Sequence, residues 1–178
     1  MNTGFSITDF YKELAYSLPK STSHTRKIWV NKIISEDIAI KDLSNLLKSE
    51  HKTATRFQWL LSEIGLANPN KLLNELPFLL VFFDQLNPVY KSSLASYWLI
   101  AGVPSKNEGV AIDLLFQWLL SNHVNVTIKS RSIMVLFKLT KKYPELKNEL
   151  VFYLKDQQHK YSKDFEKRVS KILNKLEE

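Results

Sequence analysis

The segment IKSRSIMVLFKLT at residues 128–140 contains the pattern on which the fold is built. Its apolar side chains recur every three or four positions, as they do on one face of an α-helix. A related segment, EKRVSKILNKL, stands at residues 166–176. Two earlier ones are KSSLASYWLI at residues 91–100 and TATRFQWLLS at residues 53–62. The sequence therefore contains a helical unit that repeats.

Alignment of the four segments produces columns whose members are 37 or 38 residues apart. The first column contains polar residues, which are Arg56, Ser93, Arg131 and Arg168. Two further columns are apolar. One contains Leu60, Tyr97, Val135 and Ile172, and the other contains Leu61, Trp98, Leu136 and Leu173. This period lies between those of tetratricopeptide and HEAT or armadillo repeats. Because the Trp-Leu-Gly signature of the tetratricopeptide is missing, the HEAT type is favoured.

Short polar or proline-containing joints separate ten predicted helices, which form hairpin pairs. They span about residues 6–18, 22–34, 36–48, 51–66, 70–86, 89–102, 107–121, 126–142, 144–157 and 162–176. The prediction is an all-α fold, a right-handed α–α superhelix (a HEAT- or armadillo-like solenoid) of four to five hairpins. It forms a single domain over residues 1–178, less regular in 1–50 and clearest in 51–178.

Four local predictions accompany this architecture. Ser6 with Asp9 resembles a helix-capping pair, and Ser35 is expected to begin the third helix. Pro77 is expected to kink or split the fifth helix, because proline lacks the amide hydrogen that an α-helix needs. The tryptophans at positions 59, 98 and 118 are expected in the core, because they lie in strongly apolar segments.

The repeats resemble an uncharacterised bacterial group of short HEAT-like proteins. The residues that carry the resemblance are TRFQWLLS at 55–62, IKSRSIMVL at 128–136 and KYPELKNEL at 142–150. The resemblance implies the fold and no particular activity. More distantly, the pattern is similar to the DNA alkylation repeat fold, whose glycosylases are HEAT-like solenoids with basic concave faces. The Asp and aromatic cluster of those enzymes has no counterpart that can be mapped onto this chain.

HEAT repeats often pair an Asp in the turn with a basic residue of the second helix, as a ladder between neighbours. Lys91 and Lys129 resemble the basic position, but Gln85 and His123 occupy the upstream places. The resemblance therefore implies a weak polar ladder, with stacking that depends mainly on apolar packing.

The composition excludes several function classes. The chain has no cysteine, and its four glycines and four histidines are scattered, so thiolate, phosphate-loop and metal sites are not expected. The carboxylate pairs 36–37 and 177–178 stand at helix ends, where acidic residues are commonly solvated. We predict no catalytic, cofactor or metal residues, and therefore no enzyme.

Residues 1–16 lack the pattern of a secretory signal, and no apolar stretch is long enough to span a membrane. A cytoplasmic location is therefore expected.

The net charge of +7 is distributed unevenly. Residues 129–178 contain thirteen Lys and Arg against seven Asp and Glu, whereas residues 1–128 contain twelve against eleven. Arg131 and Lys138 recur one repeat later as Arg168 and Lys175, and Lys171 lies between these two.

Second helices usually line the concave side of such a superhelix. These five residues are therefore predicted to form a basic stripe that binds a partner.

Three interpretations of this stripe and fold remain open. The first is a non-enzymatic adaptor that binds another protein along the solenoid. The alternative is a nucleic-acid-binding protein, or one with another anionic partner, that uses the basic C-terminal face. The third is an enzyme, which ranks last because no nucleophile, base or cofactor motif is present. For the basic stripe itself, the alternative to a binding surface is a solvated polar end cap, which every solenoid needs for solubility.

Overall fold

The computed structural model describes residues 5–178, and this part of the chain is all-helical, with no β-strand. The first four residues of the predicted domain lie outside the described part. The helices are α1 (Ile7–Ser17), α2 (Ser23–Ser35), α3 (Ile40–Leu43), α4 (His51–Ala67), α5 (Pro69–Phe83), α6 (Pro88–Lys91), α7 (Leu94–Ala101), α8 (Glu108–Leu120), α9 (Val126–Leu139), α10 (Leu146–Gln157) and α11 (Lys163–Glu177). Single 3₁₀ turns lie at Leu18–Lys20, Ser44–Lys48 and Ser105–Asn107.

Side-chain caps define where several helices begin. The Ser6 hydroxyl accepts a hydrogen bond from the Asp9 amide at 3.3 Å, so the predicted capping pair is confirmed. Asn68, Asn125 and Ser162 cap α5, α9 and α11 in the same way, each accepting from an amide three residues later. Each cap satisfies an amide that has no partner inside the helix.

The predicted helix over residues 36–48 begins too early and is not continuous, because residues 36–39 are not helical and residues 40–48 form α3 and a 3₁₀ segment. Ser35 ends α2 instead of beginning a helix, and Asp37 has a φ of +46°, a left-handed conformation that Asp tolerates better than most residues. Ile38 and Ile40 are both buried. Side chains two positions apart reach the same side only in extended backbone, so the chain stays extended at Ala39 before α3 begins.

The predicted helix over residues 89–102 is interrupted. The hydroxyls of Ser92 and Ser93 donate to the carbonyl oxygens of Val89 and Tyr90, at 2.9 Å and 2.5 Å. Bonds of this kind compete with the helical hydrogen-bond pattern, and the chain divides here into α6 and α7. By contrast, α5 continues through Pro77 without being split.

Five helices pack against one another in chain order. Helix α4 contacts α2 and α7, and α9 contacts α7 and α11. We call α2, α4, α7, α9 and α11 the second-helix series. Helix α5 packs against α4 and α7, α8 packs against α9, and α10 packs against α9 and α11. The two apolar columns of the sequence alignment are buried throughout, so they form the core between units.

Polar contacts also connect units, at sequence separations of 34 to 39 residues. Arg26 Nε lies 2.9 Å from Glu63 Oε1, and Tyr97 donates to the Gln58 carbonyl oxygen at 3.2 Å. Further cross-unit contacts are Asp37 with Lys71, His51 with Tyr90, Ser96 with Arg131, Leu99 with Lys138, and Glu108 with Lys142. These contacts are more extensive than the predicted weak ladder, and they use different residues.

The two lysines of the expected ladder have partners within their own unit. Lys91 pairs with Asp84 across the joint between α5 and α6. Lys129 is fully buried, and its amine donates to the Leu119 carbonyl oxygen at 2.6 Å, at the C-terminal end of α8. A cation suits this position because carbonyl groups at a helix C-terminus lack helical partners and carry partial negative charge.

Gly65 marks a close approach between α4, α5 and α7. A Cβ at this position would lie 2.3 Å from Leu72 Cδ2 and 3.1 Å from Ile100 Cγ2.

We expect Gly65→Ala to lower the free energy of unfolding by about 1–2 kcal/mol, because overpacking outweighs the better helix propensity of alanine. Gly109→Ala is the matched control, because no atom lies within 4 Å of its added Cβ. Urea unfolding of both variants checks the prediction, and an equal change in both would contradict it.

Glu108 begins α8 and is buried, and its Oε2 accepts from Lys142 Nζ at 2.6 Å and from the Tyr143 hydroxyl at 2.5 Å. These two hydrogen bonds hold the pKa of Glu108 below its ordinary value of 4.5. A carboxylate with a depressed pKa stabilises the folded state above its unfolded pKa. This contribution disappears as the pH falls through the folded pKa.

We therefore expect Glu108→Gln to lower the melting temperature at about pH 7, with a gap to wild type that narrows as the pH falls below about 4.5. Thermal unfolding monitored by circular dichroism across this range measures the gap. Asp156→Asn is the control, because the pKa of Asp156 is also lowered but its side chain is exposed to solvent. A difference in melting temperature between Glu108→Gln and wild type that does not change with pH would contradict the lowered pKa of Glu108.

Candidate functional site

Helix α11 separates its apolar and basic side chains onto opposite faces. The apolar face is buried, and it contains Phe165, Val169, Ile172, Leu173 and Leu176. The exposed face carries Lys167, Arg168, Lys171 and Lys175. Ser162 caps the start of the helix, and the spacing of the apolar residues points the basic residues away from the core.

A groove of about 420 Å³ lies between α9 and α11. We call it the α9–α11 groove. Helix α9 contributes Met134 and Phe137, and α11 contributes Ile172 and the four basic residues of its exposed face. No carboxylate lines the groove. Within residues 5–178, the salt bridges involve none of these four basic residues. The groove therefore has one cationic wall and one apolar wall.

The structure brings together three of the five predicted stripe residues, Arg168, Lys171 and Lys175. It adds Lys167, which the sequence analysis missed although its i, i+4 spacing from Lys171 places both on one helical face. The other two predicted residues, on α9, do not line this groove.

Arg131 and Lys138 bind the preceding helix instead. The Arg131 guanidinium donates to the Ser96 hydroxyl, and Lys138 Nζ donates to the Leu99 carbonyl oxygen at 3.1 Å. Leu99 lies in the last turn of α7, where carbonyl groups lack helical partners. Both side chains therefore connect α9 to α7.

The difference between Arg131 and Arg168 follows from the preceding unit. Both belong to the same column of the repeat, and the residue facing Arg131 is Ser96. Met134 stands 38 residues after Ser96 and lines the groove beside Arg168. A thioether is a weak acceptor, so it cannot replace the hydroxyl as a partner for a guanidinium.

Trp59 is 46% exposed, so its predicted place in the core is wrong. The prediction holds for Trp98 and Trp118, which are buried and stacked with ring centroids 5.8 Å apart. The guanidinium groups of Arg56 and Arg26 lie 4.3 Å and 5.4 Å from the Trp59 ring centroid. The repeat alignment contained the signal, because Trp59 shares its column with polar or half-buried residues and precedes the two buried columns.

Trp59 lines a second groove, of about 270 Å³, across α4, α7 and α9. We call it the Trp59 groove. Its other lining residues are mainly polar or aromatic, and they include Thr55, Gln58, Ser62, Tyr90, Ser96, Tyr97 and Arg131. Burial raises the pKa of the Tyr97 hydroxyl, so this phenol stays neutral and serves as a donor to α4. The groove therefore presents hydroxyls, an indole and a guanidinium.

A larger cleft, of about 560 Å³, lies where the end of α5 meets the joint between α8 and α9. Leu86, Val89 and Trp118 contribute to its apolar lining. The charged groups at its rim, Lys91 and Asp84, pair with each other. Because these charges are already paired, the cleft offers mainly apolar contacts and uncharged polar groups.

Residues 5–178 contain no cluster of His, Cys, Asp or Glu that would hold a metal ion. The same part of the chain includes no helix that is both long and apolar enough to cross a membrane. Comparisons with protein-family models, curated proteins and solved structures gave no significant match. The HEAT-like and DNA-alkylation-repeat resemblances therefore stay predictions, and the function has to be argued from the two grooves.

Proposed function

We propose that this chain is a non-enzymatic HEAT-like adaptor, a right-handed superhelix of hairpins that binds another protein along the exposed side of its second-helix series. Three observations support the architecture: a period of 37 to 38 residues, two buried apolar columns, and polar contacts at separations of 34 to 39 residues. Stacked repeats of this kind create extended surfaces suited to binding proteins.

The exposed Trp59 is the single observation that carries the binding function. Tryptophan, tyrosine and arginine contribute most of the binding energy at protein interfaces. The Trp59 groove combines Trp59 with Tyr90 and Arg131, and Arg56 packs over the indole ring. Nearly half of Trp59 is exposed to water. A partner that covers the ring would recover this apolar surface.

The cationic wall of the α9–α11 groove favours a second candidate function, binding of nucleic acid. Four basic residues in a groove that no carboxylate lines would attract phosphates. This function predicts that affinity for random duplex DNA falls steeply with salt. Arg168→Glu with Lys171→Glu would weaken binding further, and absence of binding at ~50 mM salt would exclude this function.

To test the adaptor function, the chain is immobilised and its principal partner is isolated from a lysate of the host, identified and purified. We expect Trp59→Ala to weaken binding of that partner about thirtyfold, corresponding to about 2 kcal/mol for an interface anchor. Titration calorimetry with the purified pair measures the dissociation constant.

Leu66→Ala is the matched control for this prediction. Leu66 lies on the same helix and is 71% exposed, but it does not line the Trp59 groove. We expect Leu66→Ala to bind the purified partner with an affinity within about twofold of wild type. Equal binding by wild type and Trp59→Ala, with the fold of both confirmed by circular dichroism, would overturn the proposal.

A further inference from the structure

We propose that the α9–α11 groove binds an acidic amphipathic helix of the partner, a proposal that rests on the adaptor function. The two walls of the groove differ in chemistry. Helix α11 contributes all four basic residues, and α9 contributes Met134 and Phe137. A helix with adjacent acidic and apolar faces matches both walls at once, as in the helix-in-groove mode of recognition.

The charges of the cationic wall are available for an external partner. Within the described part of the chain, no salt bridge engages Lys167, Arg168, Lys171 or Lys175. Arg131, which shares its repeat column with Arg168, shows the contrasting case, because its guanidinium already has a hydroxyl partner on α7. Four unneutralised cations beside one groove favour an occupant with several carboxylates.

The dimensions suit a helix of a few turns. The basic residues extend from Lys167 to Lys175, which corresponds to about 12 Å along α11. Carboxylates at positions i, i+4 and i+7 of a partner helix cover a similar length. Met134 has a flexible thioether side chain, which adapts to the shape of an incoming apolar residue.

The apolar wall favours a protein helix over nucleic acid. Phosphate binding makes no use of Met134 or Phe137, which are half-buried, whereas a partner helix would bury both side chains further. Duplex-binding proteins commonly neutralise about six to ten phosphates. The α9–α11 groove presents four cations on one helix, and Lys138 does not extend this wall, because its amine is bound to α7.

Fluorescence anisotropy with labelled probes tests this assignment. The first probe is a helical peptide of about 18 residues with leucines on one face and glutamates on the adjacent face. The second has the same composition in scrambled order, and the third is a duplex DNA of about 20 base pairs. At ~50 mM salt, we expect the full chain to bind the amphipathic peptide at least about tenfold more tightly than the scrambled peptide.

The groove variant combines Lys167→Glu, Arg168→Glu and Lys171→Glu, and we expect it to lose about tenfold or more in affinity for the amphipathic peptide. Its matched control combines Lys52→Glu, Lys106→Glu and Lys147→Glu. These three lysines are exposed, and none lines the groove. Both triples change the net charge equally, so a loss confined to the groove variant excludes a general effect of charge.

Met134→Gln keeps every charge and tests the apolar wall even if the triple variant folds poorly. We expect Met134→Gln to weaken binding of the amphipathic peptide about fivefold and to leave any binding of duplex DNA unchanged. Equal affinity for both peptides, or no effect of Met134→Gln, would overturn the proposal. Tighter binding of the duplex than of either peptide would assign the groove to nucleic acid. The Trp59→Ala result decides the adaptor function separately, because Trp59 lines the other groove.

Discussion

Contact between one second helix and the next is the constraint from which the other features follow. Helix α7 has only eight residues, and isolated helices of that length are not stable in water. Its buried Tyr97 and Trp98 belong to the columns that pack between neighbouring units. Gly65 allows α4, α5 and α7 to approach closely, and Arg26 with Glu63 adds a charged contact between α2 and α4. Each unit is therefore stabilised by the units beside it.

The same contacts decide which polar side chains remain available for a partner. Arg131 and Arg168 occupy equivalent positions in successive units, but only Arg131 faces a hydroxyl acceptor on the preceding helix. Met134 replaces that hydroxyl in the next unit. A single difference in the repeat thus converts a side chain that joins two helices into one that lines an open groove. Lys142, unlike Arg168, is not available to a partner, because Glu108 neutralises its charge within the fold.

The two grooves on the second-helix series differ in the interactions that they offer. The Trp59 groove presents an indole, hydroxyls and a guanidinium, which suit a partner with apolar anchors and hydrogen-bonding groups. The α9–α11 groove presents a cationic wall opposite an apolar wall. An adaptor that engages both would bind through two separate contacts, and linked contacts increase affinity beyond that of either alone.

The sequence by itself determined the helical class, the period of 37 to 38 residues, the two buried columns and the placement of Arg168, Lys171 and Lys175 on one helical face. These features depend on periodicity within a helix, which is local. Only the tertiary structure decided that Arg131 and Lys138 bind α7, and that a non-helical link over residues 36–39 precedes the short helix α3. Each of these outcomes depends on a contact with residues distant in the sequence, or on which neighbours share the core, and helical periodicity carries no information about either.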